Sequence, residues 1–135
     1  MELREFVELS PLSTMKIGGM ARYLVEVRSL SFLKEALVFA GQKNLPVAIL
    51  GGGSNTLISD DGFPGIVLRI TVPGIEWEKN GDSVYATVGA GVSWDDLVRS
   101  AVEKGYHGVE NLYRSVHHIS PLHLQNYFQP RPTCK

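Results

Sequence analysis

The segment Leu50-Gly51-Gly52-Gly53-Ser54-Asn55 holds the residue types in this chain best suited to chemistry. Consecutive glycines let a backbone approach a ligand closely and aim successive N–H groups at one point. Such a nest holds phosphate oxygens without a formal positive charge. Ser54 and Asn55 add side-chain donors. The alternative is a tight glycine turn that binds nothing. Gly89-Ala90-Gly91 is a second glycine turn, between an expected strand and an expected helix whose N-terminus favours an anion. A plain strand-to-helix connection is its alternative. Together the two turns are expected to close on the two phosphates of one dinucleotide.

Familiar phosphate loops do not fit. No Gly-Lys-Ser/Thr ending follows the first turn, which argues against a P-loop. The run also lacks G-x-G-x-x-G spacing and is expected to lead into a strand, Thr56-Leu57-Ile58-Ser59, which argues against a Rossmann site. Lys16 and Arg22 can meet phosphate or carboxylate, although surface cations usually meet water. Asp60-Asp61 reads as a pair of solvated turn residues rather than a metal site. His117, His118 and His123 lack carboxylates or cysteines in register, and no metal site is expected. No Ser/His/Asp or Cys/His nucleophile system is legible.

The elements that must hold these turns follow from periodicity. Residues 1–13 read as an irregular arm. Arg22-Tyr23-Leu24-Val25-Glu26-Val27 reads as a strand. Ser29 or Ser31 caps a helix carrying Leu30, Leu33, Leu37 and Ala40 at helical spacing. Pro46-Val47-Ala48-Ile49-Leu50 then reads as a buried strand, and Gly65-Ile66-Val67-Leu68-Arg69-Ile70 as another. Pro73-Gly74 marks a boundary. Beyond it, runs 75–78 and 84–88 flank Asn80-Gly81-Asp82 as a hairpin. Ser93 caps a second helix with an apolar stripe of Trp94, Leu97, Val98, Ala101 and Val102, closed by Gly105. After Leu112 no period is recognisable.

Bulk properties exclude several classes. The length of 135 residues suits one domain with a modest core. A formal net charge of −1 gives no field to draw the chain to nucleic acid or an anionic membrane. The single cysteine, Cys134, cannot form an intrachain disulfide, so a reducing, cytoplasmic setting is expected. No apolar run approaches the roughly 20 residues of a membrane-spanning helix, and the N-terminus does not read as a signal peptide.

The order of motifs carries a resemblance. Thr14-x-Lys16-x-Gly18-Gly19-x-Ala21, Pro46-Val47 leading to the triple-glycine turn, Gly65-Ile66-Val67, Gly89-Ala90-Gly91-Val92-x-Trp94 and Gly108-Val109-Glu110-Asn111-Leu112 follow one another. Over residues 8–112 this series resembles the N-terminal part of the UDP-N-acetylenolpyruvoylglucosamine reductases, also called UDP-N-acetylmuramate dehydrogenases. The resemblance implies an α+β FAD-binding fold of the vanillyl-alcohol oxidase / p-cresol methylhydroxylase type. It implies an FAD-binding subdomain over 1–72, the start of an incomplete second subdomain over 73–112, and an atypical tail over 113–135. By resemblance, Leu50, Gly51, Gly52, Gly53, Ser54, Asn55 and Thr56 bind the FAD pyrophosphate, and Gly89, Ala90, Gly91 and Asn111 lie near the same cofactor.

The full-length family passes a hydride from NADPH to FAD and reduces UDP-N-acetylglucosamine enolpyruvate to UDP-N-acetylmuramate, an oxidoreductase step of peptidoglycan and cell-wall synthesis. The family's glycine-rich continuation after Asn111 is missing here, and only Gln125-Asn126 is similar to it. The family's catalytic residues have no counterpart. The expectation is therefore a flavoprotein portion, cut short and inactive alone, with a frameshift-like end from about Tyr113. The rival readings are a small non-catalytic nucleotide- or protein-binding module, and a pseudogene product without function.

Overall fold

The computed structural model describes residues 1–54 and 56–109, and the backbone of residues 127–130. The chain divides into two compact units, Met1–Val72 and Pro73–Lys135.

The first unit is built on a four-stranded sheet. Its strands are β1 (Leu3–Glu8), β2 (Met20–Val27), β3 (Val47–Leu50) and β4 (Phe63–Ile70), ordered β1-β2-β4-β3. β4 runs parallel to both β2 and β3, while β1 pairs antiparallel with β2. A central strand buried on both faces needs an unbroken apolar run, and Gly65, Ile66, Val67 and Leu68 of β4 are all buried. On one face helix α1 (Leu30–Gln42) covers β2 and β4 with the small residues Ala36 and Ala40. On the other, Leu9, Ala21, Leu24, Leu50 and Val67 form a core that Leu12 and Ile58 help to close. Leu12 and Ile58 come from the two segments that flank the triple-glycine turn in space, so this core fixes the turn's surroundings.

Four elements of this unit differ from the sequence reading. Residues 3–8 are a strand rather than an irregular arm. β1 lies at the sheet edge with only Leu3 and Val7 half-buried, and the charged residues that protect an edge from further pairing conceal its period. The apolar run of β3 is also an edge strand, with Val47 41% and Ile49 61% exposed, rather than a buried one. Residues 56–59 form no strand. Ser59 instead gives its carbonyl to the N–H of Gly19 at 2.8 Å and of Gly62 at 2.9 Å, so this backbone is held by a loop and a turn. In α1 the expected stripe holds at Ala40, 2% exposed, but not at Leu30, 71%, or Leu37, 47% exposed. The buried residues of the helix are the alanines Ala36 and Ala40. Ser29, one of the two expected caps, accepts from Phe32 N at 3.3 Å.

A charged cluster stitches the sheet across three strands. Glu26 of β2 meets Arg28 at 2.9 Å, and Arg4 of β1 and Arg69 of β4 at 3.4 Å each. The Arg28 hydrogen bond holds the Glu26 carboxyl below its ordinary value of 4.5. Partial burial opposes this, and the charges of Arg28, Arg69 and Arg4 reinforce it. A depressed folded-state pKa stabilises the fold above the unfolded value, and that contribution is lost as pH falls through the folded value. Glu26→Gln is therefore expected to cost under about 1 kcal/mol near neutrality, as half-exposed ion pairs do. It should also flatten the loss of stability below about pH 4.5. Urea unfolding of both forms across that range checks the sign.

The second unit opens with the hairpin β5 (Ile75–Asn80) and β6 (Ser83–Val88), whose register pairs Asn80 with Ser83 and leaves Gly81 and Asp82 as the loop. Helix α2 (Trp94–Glu103) starts at Ser93, whose hydroxyl accepts from Asp96 N at 3.1 Å and donates to Asp96 Oδ2 at 2.6 Å. Trp94, Leu97, Val98 and Ala101 pack with Val84 and Val109, whereas Val102, expected on the stripe, is 51% exposed. The short strands β7 (Tyr106–His107) and β8 (Tyr127–Pro130) complete a sheet ordered β5-β6-β8-β7.

Candidate cofactor-binding site

The triple-glycine turn leaves the carboxyl end of β3, where ligands gather in sheets with parallel strands. Leu50 is buried at 3% exposure and anchors the turn in the core. Gly51 is half-buried with open space beside it: a Cβ there would meet nothing within 4 Å. Gly52 is exposed, Gly53 is buried, and Ser54 and Thr56 are half-buried. Asn55 lies outside the described residues.

Gly53 is the pivot of the turn. Its φ of +72° belongs to the left-handed region, and a Cβ on it would collide with the Leu12 carbonyl oxygen. Its own carbonyl accepts from Thr14 N at 3.0 Å. The segment after β1 is thereby stapled to the turn. Among the described residues, the backbone N–H groups of Gly52, Gly53 and Ser54 have no hydrogen-bond partner. Consecutive free amides around a left-handed glycine form an anion-binding concavity. The arrangement suits phosphate oxygens.

The sequence signals a close approach or a positive φ at Gly18-Gly19, and Gly18 has φ +129°, but not the wall that residues 10–19 form beside the turn. Ser13 is buried at 2% exposure, and its hydroxyl sits 3.3 Å from the Ile17 carbonyl and 3.4 Å from that of Ser10, closing the loop on itself. Gly19 packs so tightly that a Cβ would strike the Asp60 carbonyl. The adjacent glycines Gly18 and Gly19 were the signal for this close approach. Lys16 is exposed on the loop, and Arg22 stacks over the Tyr23 ring at 5.5 Å. Asp61 N bonds Ser59 Oγ at 3.3 Å, which is turn chemistry, and no metal-binding group occurs among the described residues.

The second glycine turn is described within its own unit. Gly89 donates its N–H to Gly74 at 2.8 Å and accepts from Val92 N at 2.9 Å, so its amide is committed internally. Ala90 is half-buried and Gly91 exposed, and their N–H groups have no partner among the described residues. Asn111, His117, His118, His123 and Cys134 lie outside the described residues.

Comparison with known proteins agrees with this fold. The family model of an FAD binding domain matches residues 21–117. A UDP-N-acetylenolpyruvylglucosamine reductase from Thermus caldophilus superposes with a TM-score of 0.65 at 30% identity, over 86% of this chain and 40% of that one. A vanillyl-alcohol-oxidase-type flavoprotein from Myceliophthora thermophila shares the fold at a TM-score of 0.55 and 22% identity, over 65% of this chain and 17% of that one. The chain belongs to the FAD binding domain family, with the α+β fold of the vanillyl-alcohol oxidase type.

Within that family, its relatives are UDP-N-acetylenolpyruvoylglucosamine reductases. The enzyme of Cutibacterium acnes is 39% identical over 80% of this chain and 29% of its own length. That of Amoebophilus asiaticus is 40% identical over 83% of this chain and 33% of its own. The chain thus spans about a third of the length of the curated relatives it matches. No helix among the described residues is long and apolar enough to cross a membrane.

Proposed function

We propose that this chain supplies the FAD diphosphate cradle of a UDP-N-acetylenolpyruvoylglucosamine reductase. The observation that carries the reading is the run of amides at Gly52, Gly53 and Ser54 that have no partner among the described residues, beside the open space at Gly51. Phosphate oxygens would accept from those N–H groups, with Ser54 Oγ within the same turn. Leu50 and Thr56 bound the turn in sequence, and the amides of Ala90 and Gly91 in the second unit have no partner among the described residues. Asn55, Gly89 and Asn111 remain candidates by resemblance, although the N–H and the carbonyl of Gly89 are both engaged within the second unit, by Gly74 and Val92.

Bound FAD supplies hydride chemistry. The chain's own part is to bind and orient the dinucleotide. By kinship with the reductases, the complete reaction takes a hydride from NADPH and reduces the enolpyruvyl UDP-sugar, a cytoplasmic step of peptidoglycan synthesis. This chain alone is proposed to lack that activity, because its match covers only the FAD-binding share of its relatives.

Titration of the purified chain with FAD tests the reading. The expected result is saturable quenching of flavin fluorescence, with no NADPH oxidation when the UDP-sugar is added. Equal affinity for ADP and FAD would instead favour a plain nucleotide-binding module, and no binding of either would remove the cofactor assignment.

A further inference from the structure

An FAD diphosphate brings two negative charges to a turn whose amides are only partial charges, so a nearby cation would add selectively to its binding. The described cations of the first unit are accounted for one by one. Arg4, Arg28 and Arg69 surround Glu26. Arg22 lies over Tyr23. Lys34 sits on α1, and Lys43 caps its C-terminal end. Lys16 alone lies on the loop stapled to Gly53, and it forms no ion pair among the described residues.

The geometry of Lys16 is unusual in two respects. Its φ is +56°, a left-handed conformation that a lysine adopts at a cost. Its Nζ donates to the Pro11 carbonyl at 3.3 Å, and the next residue, Leu12, places its own carbonyl against Gly53. The ammonium is thus held on the residue preceding the one that faces Gly53, and Pro11 occupies only one of its donors. The Ser13 hydroxyl contacts and the Thr14–Gly53 bond keep the loop in this form.

We propose that Lys16 is the charge partner of the diphosphate held at the glycine turn, a binding residue that swings from Pro11 to a phosphate oxygen. This inference rests on the FAD reading above. It explains why a strained lysine persists where glycine would be easier.

The test compares wild type with Lys16→Met, Lys16→Gly and Lys16→Arg in FAD titrations at low and high salt. Loss of one charge-assisted hydrogen bond should weaken FAD binding about tenfold in Lys16→Met and Lys16→Gly. The salt dependence of binding should flatten in both. Lys16→Arg should restore most of the affinity. Lys16→Gly relieves the left-handed strain, so its Tm should equal or exceed that of wild type while its affinity falls. A merely structural lysine cannot produce that opposition.

Unchanged FAD affinity in Lys16→Met overturns the proposal. So does an affinity loss that follows Tm with undiminished salt dependence. If wild type itself fails to bind FAD, the cradle reading fails first and this inference goes with it.

Discussion

Gly53→Ala is expected to destabilise the first unit by about 2–5 kcal/mol and to abolish FAD binding. Two costs add. A non-glycine residue at φ +72° costs roughly 1–2 kcal/mol. The new Cβ also meets the Leu12 carbonyl oxygen, a backbone atom that cannot rotate away, and overpacking of this kind adds about 1–3 kcal/mol. Relief requires the segment after β1 to move, which breaks the Thr14–Gly53 hydrogen bond and reshapes the anion nest. Gly51→Ala is the control two residues away. Gly51 has no positive φ, and its Cβ would meet nothing within 4 Å, so its stability should stay within about 1 kcal/mol of wild type. Urea unfolding of the two variants, with FAD titration of each, checks the contrast. Equal stability in the two would show that the turn is not held against Leu12.

Trp94→Ala is expected to cost about 3–5 kcal/mol, the range for deleting a large buried aromatic. Trp94 is 3% exposed and packs with Val84, Leu97, Val98, Ala101 and Val109, so little else in the second unit can replace it. Trp94→Phe should cost far less, within about 1.5 kcal/mol. The indole N–H of Trp94 is buried without a hydrogen-bond acceptor among the described residues. Removing an unsatisfied donor recovers part of the area lost with the smaller ring. Denaturant unfolding followed by far-UV dichroism distinguishes the two substitutions. A Trp94→Phe loss as large as that of Trp94→Ala would mean that the N–H has an acceptor.

Much of the fold was legible because local signals agreed with tertiary context. Ser93 before Trp94, Gly81-Asp82 between two β-rich runs, and the apolar run of β4 each allow few alternatives. The readings that failed depend on neighbours a sequence does not display. β1 alternates poorly because it is an edge strand armoured with Arg4, Glu5 and Glu8. Val47 and Ile49 are as apolar as core residues yet lie on an open edge. In α1 the expected stripe holds at Ala40, with Ala36 buried beside it, whereas Leu30 and Leu37 of the same stripe face out. Residues 56–59 have strand composition, yet their described backbone bonds go to Gly19 and Gly62.

The candidate site was legible in part for the same reason. Three successive glycines announce a close approach, but not which backbone approaches. That Leu12 and Thr14 form the wall against Gly53, and that Lys16 bonds the neighbouring Pro11 carbonyl, follows only from the loop closed by Ser13. In sequence the Gly89 amide is as available as its neighbours, whereas in the fold the Gly74 carbonyl accepts it.

The most direct measurement is the FAD titration followed residue by residue, from the amide signals of the isotopically labelled chain. The account predicts that the largest saturable shifts fall on the N–H groups of Gly52, Gly53 and Ser54, with the Gly89 amide, committed to Gly74, moving less than those of Ala90 and Gly91. Saturating FAD that leaves residues 52–54 unmoved would contradict it.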